Sequence, residues 1–74
     1  MVIIGEIIVS NTNKTVVSLD DYKGRKRIDI RDWFKKDTMK DWAPTKRGVS
    51  IDVGKASELT SIIERAEDAI LRRV

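Results

Sequence analysis

Cysteine and histidine are both missing from these 74 residues. Their absence excludes disulfides, thiolate nucleophiles, imidazole bases and Ser-His-Asp triads, and it leaves structural or catalytic zinc without its usual ligands. Glycine is sparse and scattered: Gly5, Gly24, Gly48 and Gly54 stand singly, so neither a GxxxxGK[ST] phosphate loop nor a GxGxxG turn exists. No run approaches the roughly 18 apolar residues of a membrane-spanning helix. The apolar start, Met1 to Ile4 and Ile7 to Val9, lacks a basic leader and a small-residue cleavage site, so it does not read as a signal peptide. A non-enzymatic, soluble, intracellular chain without cofactor or metal is expected.

Size sets the next constraint. One small domain of 8.5 kDa should expose about 4,700 Å² when folded and hide only about 62% of its unfolded surface. Chains this short are marginal alone and add disulfides, a metal or a second subunit. With the first two excluded, a homodimer is the remaining route.

The pattern along the chain is α+β. Met1 to Ser10 is rich in Val and Ile, Asn11 to Lys14 is a cluster of turn formers, and Thr15 to Leu19 reads as a strand. Asp20 to Arg25, centred on Lys23-Gly24, reads as a hairpin connection, with Asp20-Asp21 capping the turn. Arg27-Ile28-Asp29-Ile30-Arg31 alternates cleanly, with Ile28 and Ile30 on one face and the charges on the other. Asp37 to Lys46 is polar, holds the only proline, Pro44, and reads as a loop. Arg47 to Ile51 gives a fourth strand. From there the period changes: Ala56, Leu59, Ile63, Ala66 and Ile70 make one apolar helical face, with Asp52 as N-cap and Arg72 and Arg73 at the C-terminus. The expected elements are strands at roughly 2–10, 15–20, 26–34 and 47–51 and a helix at roughly 53–72. That helix should cover one face of the sheet and leave the other for solvent or a ligand.

Charge is concentrated. The net +3 hides a window from Tyr22 to Arg47 with ten cations against four acids, and all four aromatics (Tyr22, Trp33, Phe34, Trp42) lie inside it. Cations follow phosphates and flat rings offer stacking surfaces to unpaired bases. Simpler roles compete for each residue. Lys35-Lys36 has the composition of a solvated face, and Asp29 and Asp32 read as local ion pairs rather than a magnesium site. Strand alternation sends one of Trp33 and Phe34 inward, and Trp42 beside Pro44 either pins its loop or touches a ligand. A protein-binding adaptor with a basic sheet face, or a binder of duplex DNA or RNA, is the alternative to a single-strand binder.

Three motifs occur in order: Val17-Ser18-Leu19-Asp20-Asp21-Tyr22-Lys23-Gly24-Arg25, then Ile28-Asp29-Ile30-Arg31-Asp32-Trp33-Phe34, then Lys46-Arg47-Gly48-Val49-Ser50-Ile51. Together they resemble the core of the PC4/p15 transcriptional coactivator family. The resemblance implies a curved four-stranded antiparallel sheet and one C-terminal helix, paired into a homodimer that binds single-stranded or melted DNA with little sequence preference. Carried over by position, Tyr22 and Phe34 match base-stacking aromatics, and Lys23, Arg25, Arg31, Lys46 and Arg47 match positions lining the backbone path. Arg27, basic where relatives are often apolar, joins them through its period-two relation to Arg31. Asn13, Thr15 and Asp20 depart from cations of the family pattern, and Ala56 replaces a helix-start tryptophan. No acidic, serine-rich arm is present. The resemblance therefore implies a bacterial, archaeal or phage-type member, with replication, recombination or transcription proteins as possible partners.

Overall fold

The computed structural model describes residues 1–72; the expected C-terminal cation Arg73 lies outside the described residues. Four strands form one antiparallel sheet in sequence order: β1 (Val2–Ile8), β2 (Asn13–Tyr22), β3 (Arg25–Phe34) and β4 (Ala43–Asp52). A 3₁₀ turn, Val53–Lys55, leads into the single helix, α1 (Ala56–Arg72). β2 and β3 join through a two-residue turn in which Lys23 and Gly24 both take positive φ, 52° and 79°. Such a turn matches the twist of the flanking strands, and glycine is the residue that adopts it without strain. The register therefore runs without interruption from Tyr22↔Arg25 to Asn13↔Phe34.

β4 starts earlier than the composition suggests. Ala43 and Pro44, inside the segment read as loop, pair with Phe34 and Trp33. β4 is an edge strand, where the missing proline N–H leaves no ladder bond unmade. A bulge opposite Asp32 separates this pair from the regular ladder at Arg31↔Gly48, and a second interrupts β1 between Ile3 and Gly5. Bulges bend the strands that carry them.

Alternation divides the sheet into two unlike faces. One, the charged face, carries Lys14, Val16, Ser18, Asp20 and Tyr22 of β2, and Arg25, Arg27, Asp29, Arg31 and Trp33 of β3. The other, the apolar face, carries Val17 and Leu19 of β2, Ile28 and Ile30 of β3, and Val49 and Ile51 of β4. The buried side chains, Val16 and Ser18 (each 1% exposed) and Lys14 (8%), all lie on the charged face. The apolar face is open: Val49 keeps 55% of its surface exposed.

The helix does not close that face, contrary to the expectation that it covers its own sheet. Asp52 caps the 3₁₀ turn by accepting from Gly54 N at 2.9 Å; the turn packs against β3, and α1, which packs chiefly on the turn, then leaves the sheet. None of its side chains is buried, and Ile62, Ile63, Ile70 and Leu71 are exposed. The protomer is correspondingly flat, 41 × 41 × 18 Å, with a radius of gyration of 14.6 Å against about 11 Å for a compact chain of this length. Its surface is 6249 Å², about 1,500 Å² more than a folded monomer of its mass should show. Among the described residues no second layer packs on the apolar face of the sheet.

Candidate nucleic-acid interface

The charged face is built by a row of long side chains lying across neighbouring strands. Residues two apart on β3 stand about 6.8 Å apart and point the same way, so Arg25, Arg27, Asp29 and Arg31 form a line. Arg25 Nε donates to Asp52 Oδ2 at 2.6 Å. Arg27 reaches across to Ser50, donating from Nε to the hydroxyl at 2.7 Å and from Nη2 to the carbonyl at 3.0 Å. Arg31 forks onto Asp29, with Nε 3.1 Å from Oδ2 and Nη2 2.9 Å from Oδ1, and donates from Nη1 to the Thr45 carbonyl at 3.0 Å.

Gly48 makes that last reach possible. It pairs with Arg31, and a Cβ there would lie 2.8 Å from the Ile30 carbonyl oxygen and 3.0 Å from the Arg31 guanidinium carbon. The bulge then turns Thr45 so that its hydroxyl donates to the Asp32 carbonyl at 2.8 Å and accepts from Arg47 N at 3.1 Å.

These contacts set the electrostatics. Hydrogen bonding and charge attraction from Arg25, with help from the Gly54 N–H, hold the Asp52 carboxyl down at about 2. The same pairing raises Arg25, and Asp29 raises Arg31 in the same way. Two arginines of the expected site are thus already neutralised by their own chain. Lys23, Lys46 and Arg47 make no ion pair among the described residues, and Arg27 holds only neutral partners.

The aromatics separate into two groups. Tyr22 is 59% exposed at the hairpin end, with the Lys23 ammonium 5.3 Å from its ring centroid. It lines an open hollow of about 400 Å³ with Asp20, Arg27, Asp29, Arg31 and Ser50. Trp33 and Trp42 sit at the other end around Lys14, whose ammonium lies 5.7 and 4.6 Å from their ring centroids and 2.8 Å from Glu6 Oε1. A lysine clamped by two rings and a carboxylate is a structural pin for the β3–β4 connection. Nothing in the spacing of Lys14 revealed it.

Phe34 does not join Tyr22. Its pairing with Asn13 and Ala43 gives it the parity of the apolar face. It lines a separate hollow of about 460 Å³ with Thr12, Asn13, Lys35, Lys36 and Asp37. Phe34 lies nine positions along β3 from Arg25, the partner of Tyr22, roughly 30 Å. Of the expected site residues, the structure brings Tyr22, Arg25, Arg27 and Arg31 onto one face, puts Lys23 at its rim and Lys46 and Arg47 at the bulge, and sets Phe34 apart. Sequence reasoning missed Ser50, Thr45 and Gly48, which anchor Arg27 and Arg31 or make room for Arg31.

The family model of Transcriptional Coactivator p15 (PC4) matches residues 9–62. The chain belongs to the PC4 family. The match takes in β2, β3, β4 and the first part of α1; β1 precedes it. Among solved structures the chain is similar to a PC4 homologue from Burkholderia pseudomallei K96243. Its orthorhombic crystal form gives a TM-score of 0.80 at 25% identity over 88% of this chain and 86% of that one. The tetragonal form gives 0.78 at 26%, over 88% and 94%. It is also similar to the bacteriophage T5 homologue of the eukaryotic coactivator PC4 implicated in recombination-dependent DNA replication, with a TM-score of 0.58 at 25% identity over 93% of this chain and 77% of that one. No curated protein sequence matches the chain.

Proposed function

We propose that the protein is a non-enzymatic homodimer that binds single-stranded DNA through the charged face of its sheet, with little dependence on sequence. The observation that carries this reading is the line of Arg25, Arg27 and Arg31 beside an exposed Tyr22 on one sheet face. Free cations at Lys23, Lys46 and Arg47 supply phosphate contacts, and an uncovered ring supplies a surface for an unpaired base, worth about 1–3 kcal/mol. A duplex, whose bases are already stacked, has no use for that ring. Phe34, on the opposite face, acts as a second stacking position only for a strand that passes over the end of the sheet into the hollow lined by Thr12, Asn13, Lys35 and Lys36. Membership of the PC4 family, and the link of the phage T5 relative to recombination-dependent DNA replication, favour a role in replication, recombination or transcription inside the cell.

The dimer rests on the open apolar face. A surplus of about 1,500 Å² per protomer is the amount that a second copy would remove, in the range of obligate interfaces when both sides are counted. Leu59, Ile62, Ile63, Ala66 and Ile70 of α1, and the apolar sheet face, are the surfaces that a partner would cover.

Competition among single-stranded DNA, duplex DNA and RNA of equal length tests the reading. Single-stranded DNA should win, and log affinity against log salt should slope near −2, about −0.7 for each of the three unpaired cations Lys23, Lys46 and Arg47. Equal or tighter duplex binding, or an affinity indifferent to salt, would overturn it. Acidic polypeptides that displace oligo-dT from the wild type but bind a Tyr22→Ala variant just as tightly would favour an adaptor instead.

A further inference from the structure

We propose that the hollow beside Tyr22 is a base-reading subsite with a preference for guanine, so that otherwise unspecific strand binding is biased at one position per protomer. The proposal rests on the single-strand reading above and adds a ligand group to it.

The hollow is charge-balanced, which suits a base better than a phosphate. Arg27 and Arg31 face Asp20 and Asp29 across it, with the Tyr22 ring and Ser50 completing the wall. A phosphate would meet two carboxylates there. The four charged groups are not equivalent. Both Asp29 oxygens are taken by Arg31, which spends its Nη1 on Thr45 as well. Asp20 is different. It pairs directly with Arg27 in the ladder, yet Arg27 turns away to Ser50, and among the described residues the one hydrogen bond to the Asp20 carboxylate comes from Asp21 N at 3.0 Å. Among the described residues Asp20 has no cationic partner. Arg27 has used two of the five N–H groups that a guanidinium offers.

A carboxylate without a cation, one oxygen of which accepts only from Asp21 N, and a donor fork with unused N–H groups therefore flank one hollow beside a stacking ring. Guanine matches both: N1–H and the N2 amine are adjacent donors for a carboxylate, while O6 and N7 accept from an arginine. Adenine and cytosine each present a single amine on that edge, and thymine turns a carbonyl on either side of its N–H toward the acid. Only guanine satisfies both groups at once.

The test uses three equal-length oligonucleotides with a thymine background carrying isolated guanines, inosines or adenines, which cannot form quadruplexes. Wild type should bind the guanine strand about tenfold tighter than the adenine strand, the lower part of the range for one bidentate base contact. Inosine, lacking the N2 amine, should fall between them. Asp20→Ala should erase the difference. Asp20→Asn should favour adenine, because an amide pairs with the adenine N6 and N7, a reversal that misfolding cannot produce. Equal binding of all three strands by wild type, or a guanine preference surviving in Asp20→Ala, would overturn the proposal and leave the single-strand reading intact. Failure of wild type to bind any of the strands would overturn both.

Discussion

The two faces of one sheet solve opposite problems. On the charged face, long polar side chains bond to groups on their own and neighbouring strands, and Val16 and Ser18 lie buried there. On the apolar face, short branched side chains stand upright and cannot cover one another, so Val49 stays 55% exposed in the protomer. A face that shields itself is free to meet a ligand, whereas an apolar face left open needs protein. In the proposed reading the two sides of this thin molecule meet different partners, and substitutions on each side should fail in different ways.

The largest effect is expected from α1. Ile63→Asp places a charge in the seam that a second copy would cover, and light scattering should find loss of the dimer or of the fold. A variant that remains folded and dimeric would remove α1 from the interface. Gly48→Ala comes next. Its Cβ would collide with the rigid Ile30 carbonyl, so stability should drop by about 1–3 kcal/mol in urea titration, and Arg31 should lose its reach to Thr45. On the charged face, Tyr22→Ala should weaken oligo-dT binding by about 1–3 kcal/mol and leave the oligomer untouched. If Tyr22→Ala instead dissociates the dimer, the division between faces is wrong.

Smaller effects sharpen the same contrast. Lys46→Ala should lower affinity for every single strand alike and reduce the salt slope by about 0.7. Acid acts through Asp52, whose carboxyl lies below its ordinary 3.8 at about 2, so its protonated form is disfavoured in the fold. The stability it contributes is present above pH 4 and fades as pH falls toward 2. Urea midpoints measured from pH 5 to 2 should therefore decline less steeply in Asp52→Asn, whose midpoint at pH 5 is already lower. Because Arg25 and Asp52 stand near the surface, this change is the least of the set.

Much of the architecture was legible in the residues. The strict alternation of Arg27 to Arg31, the Lys23-Gly24 turn and the three- and four-residue spacing of α1 are local signals, and each maps directly onto an element. The start of β4 was not legible, because Pro44 signals a loop unless the strand is known to lie at an edge. The course of α1 was hidden for a related reason: an amphipathic helix announces that it will be covered, but not by which chain. The candidate site divides along the same line. Period two placed Arg27 and Arg31 together and the family resemblance added Tyr22 and Arg25, whereas Lys14 between two tryptophans and Gly48 beneath Arg31 are cross-strand relations that only the register determines. The nine-residue offset of Phe34 belongs with them, since sequence proximity to Arg31 does not show which face a ring takes.

Ultraviolet crosslinking of oligo-dT to the wild-type protein, with the attached residues mapped by mass spectrometry, addresses the assignment of the charged face most directly. Adducts should concentrate on the peptide containing Tyr22. Adducts confined to α1, or to apolar-face positions such as Ile28 and Val49, would contradict it.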